Sequence, residues 1–453
     1  MKDKEITFGA YLAIGFMLFA LFFGAGNLIF PAQLGQNAGT NLLPAIIGFL
    51  ITGVGLPLLG ILAMGFSGSN NLQELASRVH PIFGVLFTSL LYLTIGSFFA
   101  TPRTATVAYD IGISTFVSEG FQGGALIIFS FLFFLITALF SMYPAKIVDN
   151  VGKLLAPSLV VLLVFLLITA LVNPMGAIQP PLETYTSGAF GQGFLEGYNT
   201  MDAIASLVFG IIVINIVKSM GITSRSGILR ATSKSGIIAI SLLALIYVGI
   251  GYLGATSTSI LGFFDNGGPV LSGAAGYYFG TIGLILLSIV IILACLTTAI
   301  GLITANAEYF QTLIPKVSYK AFVIFFSAFS FVVANFGLTN IITYSLPVLM
   351  FLYPLAIVLM ILTFLSPLFQ HKRFVYVATT IVTFFVSIID GLKALCNSLE
   401  IGYFNWLSPI IDLYETYLPL YKQGLGWLLP ALAVIAVTGI IARTQKSTAT
   451  QEA

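Results

Sequence analysis

The chain is 453 residues long, 58% hydrophobic and 8% charged, with a formal net charge of +2 and a mean hydropathy of +1.04. A soluble protein of this size carries about a quarter charged residues, so the composition excludes a water-soluble globular domain. Apolar runs of about 20 residues recur from end to end, and because they are continuous rather than alternating they also exclude a β-barrel.

The expectation is therefore an all-α polytopic membrane protein, a single transmembrane domain over 1–453. The opening "MKDKEITFGAYLAIGFMLF" has a charged start but no small-residue cleavage site, so the first helix is expected to stay in the mature protein.

The first span covers about 7–35 and contains "FFGAGNLIFP" at residues 22–31. Gly24 and Gly26 interrupt an otherwise apolar run, and irregular backbone at membrane depth is tolerated only inside protein or against a wet cavity. Unwinding there exposes carbonyls to a cation and turns the amides of the second half-helix toward an anion. Small residues at this spacing also serve plain helix packing. Asn27 adds a buried amide that needs a bound ion or a neighbouring helix as partner.

Four further spans follow at about 42–66, 82–112, 122–144 and 154–173. The sixth lies within about 188–217 and carries a second interruption, "GFLEGYNTMDAIASLVFG" at 193–210. Glu196 reads as interfacial. Asp202 is an acid in a membrane helix, which serves ion or substrate binding, joins a structural hydrogen-bond network, or sits nearer the outer interface. Matching breaks in spans one and six are what two inverted repeats of five helices predict, the first over 7–173 and the second over 188–366.

Spans seven and eight are placed at about 237–256 and 277–306, and the eighth contains "ILACLTTAIGLITANAEYF". There Thr297 and Thr298 follow Ala294 at helical spacing, so two hydroxyls and a carbonyl converge on one point, unless the threonines only bond back to their own helix. The last four spans fall at about 319–336, 340–366, 374–393 and 426–442, the final two being additions to the repeats over 374–442. The external loop after span seven and the one before the last span hold enough apolar residues for short surface helices, with a covering or gating role or none. Cys295 in an apolar run and Cys396 in a connecting loop are too few for a disulfide framework or a metal site.

Twelve spans put both termini on one side. With that side cytoplasmic, Lys2, Lys4, Arg78, Lys146, Lys153, Lys218, Arg225, Arg230, Lys234, Lys316, Lys320, Lys372, Arg373, Arg443 and Lys446 lie inside. Only Lys393 and Lys422 fall outside and Arg103 in or near the membrane, as the positive-inside rule requires.

"FFGAGNLIFP", "ATPRTATVAYDIG" at 100–112 and "EGYNTMDAIASLVFG" at 196–210 together resemble the signatures of the bacterial branched-chain amino acid:cation symporters, over essentially the whole chain. The first of them, with "PAQLGQNAGTNLLPAIIGFLITGVGLPL" after it, is more distantly similar to the sodium-coupled leucine and neurotransmitter symporters.

The resemblance implies a five-plus-five inverted-repeat fold and sodium-driven import of leucine, isoleucine or valine across the bacterial cytoplasmic membrane by alternating access. Carried over by position, it implies a sodium site from the carbonyls of Ala20, Phe23 and Ala294 and the hydroxyls of Thr297 and Thr298. The substrate carboxylate would meet the amides near Ala25 and Gly26, and its ammonium the carbonyls around Tyr198 and Asn199. A second sodium would use Asn27 with Thr200 or Asp202, but span seven lacks the asparagine expected beside it.

The relatives' outer-gate arginine is missing, so the gate is either aromatic at Phe30 or formed by Arg103, with Asp110 two turns on. Arg103 reads equally as a residue snorkelling to the outer interface. The expected partners are the amino acid, sodium as coupling ion and the lipid bilayer, with no other cofactor, no nucleic acid and no obligate protein partner. Two rivals stand beside this reading: a proton-coupled carrier of another small organic substrate with Asp202 titrating, and a channel or non-transporting receptor. No nucleotide-binding loop occurs, and no soluble portion exists to hold catalytic groups, so an enzyme is not expected.

Overall fold

The computed structural model describes residues 7–143, 147–222 and 224–444, with side chains from 147 to 159 left aside. Lys2, Lys4, Lys146 and Lys446, and the side chain of Lys153, all expected inside, lie outside that description.

The chain opens with α1 (Phe8–Phe22) and α2 (Gly26–Ala38), then α3 (Leu42–Leu50) and α4 (Leu56–Ser67) joined by a π-helical turn at Ile51–Gly55. The short α5 (Leu72–Ala76) precedes α6 (Pro81–Leu93), a second π turn at Thr94–Phe98, α7 (Ala100–Gly112), α8 (Gln122–Ser141) and α9 (Ile147–Val172). After α10 (Glu183–Thr186) come α11 (Ala189–Glu196), a 3₁₀ turn at Gly197–Thr200, and α12 (Asp202–Ser219). The rest comprises α13 (Arg225–Leu261), α14 (Gly268–Leu313), α15 (Tyr319–Ala334), α16 (Leu338–Leu365), α17 (Arg373–Ser398), α18 (Ser408–Tyr417) and α19 (Leu428–Thr444).

Among the described residues, eight helical stretches are long and apolar enough to cross a membrane, and four shorter apolar helices accompany them. One stretch, Gly26–Ser67, runs from the second half of the first predicted span straight into the second.

Basic side chains tie one end of the bundle together. Arg78 donates to the Ser67 carbonyl at 2.6 Å, Arg373 to the Val79 carbonyl at 3.0 Å, and Arg443 to the Leu368 carbonyl at 2.7 Å, while Arg225 reaches the Phe66 carbonyl. Helices that start here carry polar caps: Ser224 accepts from the Gly227 amide and Ser318 from the Ala321 amide, each satisfying an amide the helix cannot. At the opposite end Gln36 donates to the Gly262 carbonyl at 3.0 Å and Tyr278 to the Asn173 carbonyl at 2.6 Å. There the Lys393–Glu415 ion pair at 2.8 Å, which draws the Glu415 carboxyl below its usual range, holds α18 to α17.

Helices touch through glycine where backbone meets backbone, as membrane packing requires. A Cβ on Gly35 of α2 would stand 2.0 Å from the Gly251 carbonyl of α13, and one on Gly193 of α11 would stand 1.9 Å from the Ala45 carbonyl of α3. No rotamer relieves an overlap with backbone. Gly35→Val is expected to abolish recovery of monodisperse protein in size-exclusion chromatography of detergent extracts.

Three expectations are corrected. The loop after span seven is short, because α13 runs on to Leu261 and α14 begins at Gly268; the segment ahead of the predicted eighth span is a helical arm set off by a bend at Gly280 (φ 59). Cys396 belongs to the last turns of α17, fully buried, not to a loop. The third predicted span is not one rod: its helix breaks at Gly96, with φ −101 and ψ −122.

Candidate functional site

The first span breaks at Phe23–Ala25, between α1 and α2. In a continuing helix the Gly24 amide would bond to Ala20 and the Asn27 amide to Phe23. Instead the Gly24 amide donates to Asn27 Oδ1 at 2.9 Å and the Asn27 amide to the Gly24 carbonyl at 3.2 Å. The carbonyls of Ala20 and Phe23 thereby lose their helical donors. On the other side of the break no side chain caps α2, and no backbone acceptor meets the amides of Ala25 and Gly26 among the described residues.

The sixth span breaks between α11 and α12, where Met201 takes a left-handed conformation (φ 63). That conformation costs a non-glycine residue about 1–2 kcal/mol, and it turns the chain so that Asp202 starts α12 facing the first break. Thr200 Oγ1 donates to the Gly197 carbonyl at 2.9 Å, and Asn199 Nδ2 to Glu196 Oε2 at 2.9 Å.

One buried hydrogen-bonded group joins the two breaks. Asn27 Nδ2 donates to Asp202 Oδ2 at 2.5 Å and to the Tyr247 hydroxyl of α13, and that hydroxyl donates to Asp202 Oδ2 at 3.1 Å. All three side chains are buried. A buried carboxylate needs such donors, since leaving it unpaired is strongly unfavourable. Tyr247 escaped the sequence reading. Its signal is a lone hydroxyl-bearing ring within "LLALIYVGIG", in the span that lacks the expected asparagine.

α14 packs beside the first break, and a Cβ on Gly24 would lie 3.7 Å from Thr298 Cγ2. Thr297 and Thr298 Oγ1 both donate to the Ala294 carbonyl, at 2.8 and 3.1 Å, so their lone pairs remain as acceptors. Five oxygens, from Ala20, Phe23, Ala294, Thr297 and Thr298, are of a type that suits a hard cation.

Arg103 does not snorkel. It is 2% exposed, its Nη1 donates to the Asn199 carbonyl at 2.7 Å, and its Cζ lies 5.1 Å from the centre of the buried Phe30 ring. The Asn199 carbonyl, expected to take an ammonium, thus already accepts from Arg103, and the Tyr198 carbonyl accepts from the Met201 amide. The Tyr198 ring stacks on Tyr353, centroids 4.0 Å apart. Asp110 is not gathered with Phe30 and Arg103; it receives Asn266 Nδ2 at 3.4 Å.

Between the breaks lies a cavity of about 60 Å³, lined by Gly24, Gly26, Asn27, Arg103, Asp202 and Thr298 among others. Its walls continue along Phe209 of α12 and Leu302 of α14, on the halves that lead to the basic end. In the other direction Ile29 and Phe30 are fully buried, and a Cβ on Gly267 would stand 1.9 Å from the Ile29 carbonyl, so that side is shut by packing. The space has room for only a few waters, so an amino acid requires its walls to separate.

A family model described as "Branched-chain amino acid transport protein" matches residues 9–445. The chain is 48% identical over 431 residues to the branched-chain amino acid permease BrnQ of Bacillus subtilis (strain 168), covering 95% of this chain and 96% of that protein. It is 46% identical over 451 residues to BrnQ of Lactobacillus delbrueckii subsp. lactis, covering 98% and 99%. Among solved structures it is similar to Mhp1 in an inward-facing conformation, with a TM-score of 0.60 at 15% identity over 95% of this chain and 90% of that one. It also resembles MhsT in complex with L-phenylalanine, with a TM-score of 0.55 at 16% identity over 98% and 100%. These neighbours share the leucine-transporter type of fold. With relatives named permeases and a transporter fold, the chain is a transport protein and not an enzyme.

Proposed function

The chain belongs to the branched-chain amino acid transport protein family, and from that premise we propose that it imports leucine, isoleucine or valine by sodium symport with alternating access. The observation that carries this reading is the bridge between two helix breaks, Asn27 to Asp202 at 2.5 Å, beside a cavity lined by Ala25 and Gly26 with their free amides, the freed carbonyls of Ala20 and Phe23 belonging to the same break. Oppositely polarised backbone groups at one place suit a zwitterion and a cation together.

In this reading sodium takes the carbonyls of Ala20, Phe23 and Ala294 and the hydroxyls of Thr297 and Thr298. The substrate carboxylate lies against Ala25 and Gly26, with Asn27 and Asp202 facing the same space, while Tyr198 and Asn199, whose carbonyls already accept from Met201 and Arg103, shape the second break behind it. Phe30 and Arg103 form the closed outer gate, with Asp110 further out. The fold comprises twelve spans: repeats over 7–173 and 188–366 and two added helices over 374–442. Both termini face the cytoplasm, which puts the basic end inside. No protein partner is required.

The test is uptake of labelled leucine into proteoliposomes with sodium, potassium or choline outside. Uptake that saturates and needs the sodium gradient supports the proposal; equal uptake without it removes the coupling, and absence of saturable uptake removes the substrate. Thr298→Val is expected to raise the sodium concentration for half-maximal uptake by about tenfold, the equivalent of about 1.4 kcal/mol. The maximal rate at saturating sodium should change far less.

A further inference from the structure

Arg103 is a buried cation whose hydrogen-bonding capacity is mostly unspent. Nη1 donates to the Asn199 carbonyl at 2.7 Å, and no other nitrogen of the guanidinium meets a protein acceptor among the described residues. Nor is a carboxylate within ion-pair distance: among the described residues the ion pair is Lys393 with Glu415, far away at the outer end. Arg103 nevertheless lines the central cavity and is 2% exposed. A guanidinium held out of water without an anion is strongly unfavourable, and its planar fork of N–H donors matches a carboxylate in two-pronged fashion.

Asp202 lines the same cavity without pairing with Arg103. Its Oδ2 takes Asn27 and Tyr247, and neither of these uses Oδ1. Two opposite charges are thus presented to one space and kept apart, an arrangement complementary to a molecule carrying both signs on one carbon. The guanidinium also lies against the start of α2, since a Cβ on Gly26 would stand 3.7 Å from Arg103 Cζ. An anion there accepts from Arg103 and from the free amides of Ala25 and Gly26 together.

We propose that Arg103 binds the α-carboxylate of the substrate while Asp202 faces its α-ammonium, so that Arg103 sets the requirement for a free amino acid as well as closing the outer side. The proposal rests on the reading above that the cargo is a branched-chain amino acid. The Phe30 ring, with its centre 5.1 Å from Arg103 Cζ, gives the guanidinium a fixed aromatic neighbour at the site. The bond to the Asn199 carbonyl extends the bound carboxylate's reach to the second break, so the ligand ties both breaks together.

The experiment measures binding by thermal stabilisation of the purified full-length protein in sodium buffer. The probes are L-leucine, L-leucinamide, which lacks the carboxylate, and 4-methylvalerate, which lacks the ammonium. Wild-type protein is expected to bind leucine about 100-fold or more tighter than leucinamide. In Arg103→Gln the leucine affinity should fall about 100-fold while leucinamide binding stays the same, so that the discrimination collapses to within about threefold.

Arg103→Lys keeps the charge without the fork and should discriminate to an intermediate degree. It carries the test if the glutamine variant does not fold. An Arg103→Gln or Arg103→Lys protein that separates leucine from leucinamide as well as wild type does would sink this proposal alone. Wild-type protein indifferent to leucine would remove the proposed cargo and this proposal with it. 4-Methylvalerate should bind wild type weakly and lose that binding in Arg103→Gln; retention of it there counts against the assignment of the carboxylate.

Discussion

Asp202→Asn is expected to reduce leucine uptake by about 100-fold, with the protein still inserted and monodisperse. The substitution keeps the side chain's shape and removes its charge. It also sets an amide beside the Asn27 amide, where Asn27 Nδ2 now donates at 2.5 Å and the Tyr247 hydroxyl donates at 3.1 Å. An asparagine can orient an oxygen to only part of that donor set.

Removing one partner of a buried, hydrogen-bonded charge costs about 2–5 kcal/mol, and each buried donor left without an acceptor costs about 1–3 kcal/mol. The lower bound alone accounts for most of the expected loss in rate. Asp202→Ala should do worse, because it orphans both donors at once. The check is initial uptake in proteoliposomes at matched protein amounts, and retention of rates within threefold of wild type would show that the bridge between the breaks is dispensable.

The same variant separates two coupling ions. If sodium drives transport and Asp202 serves the substrate site, both net uptake and exchange of internal for external leucine collapse. A carrier driven by protons taken up at Asp202 would lose gradient-driven uptake and keep exchange, since exchange needs no net proton movement. The structure makes the second outcome worth measuring because a carboxylate buried between two helix breaks faces the cavity directly.

The legible parts of the sequence were those where an element carries its own reason for being irregular. "GAGN" at 24–27 combines two glycines with an amide, and the amide turns out to accept from the Gly24 amide and hold the break open. At 188–202 a stretch with Gly188, Gly191, Gly193 and Gly197 ends in an acid, and that acid starts α12. What stayed hidden were features whose cause lies elsewhere in the chain. Tyr247 is an ordinary aromatic in an apolar span until Asp202 is placed against it. Arg103 near the middle of its span was equally consistent with a snorkelling residue, and only the packing of Phe30 and the Asn199 carbonyl decides the matter. A lone Gly96 in "YLTIGSFFA" could not be told from a packing glycine.

That third break yields the other large expected effect: Gly96→Ala should yield little or no folded protein, and Asn306→Ala should lower both thermal stability and transport. Breaking a helix at membrane depth orphans backbone groups, here the Tyr92 carbonyl and the Ser97 amide. The Asn306 side chain of α14 supplies both missing partners. Oriented to satisfy each end, its amide donates to the Tyr92 carbonyl at 2.7 Å and accepts from the Ser97 amide at 3.1 Å. One side-chain amide thus substitutes for a peptide group in the broken ladder.

A Cβ at Gly96 would stand 1.6 Å from the nearer terminal atom of the Asn306 amide and 2.4 Å from its Cγ, so alanine there must expel the asparagine. Loss of the asparagine leaves two buried backbone groups unpaired at about 1–3 kcal/mol each, a large share of the about 5–15 kcal/mol that stabilises a typical fold. The steric and hydrogen-bond parts are separable. The double variant Gly96→Ala with Asn306→Ala removes the overlap and should recover more folded protein than Gly96→Ala alone, without matching wild type. Melting of the purified variants gives the stability order, and leucine uptake follows it if the break also positions Arg103, seven residues further along the same span. A Gly96→Ala protein that melts with wild type would mean that Asn306 does not fill the break.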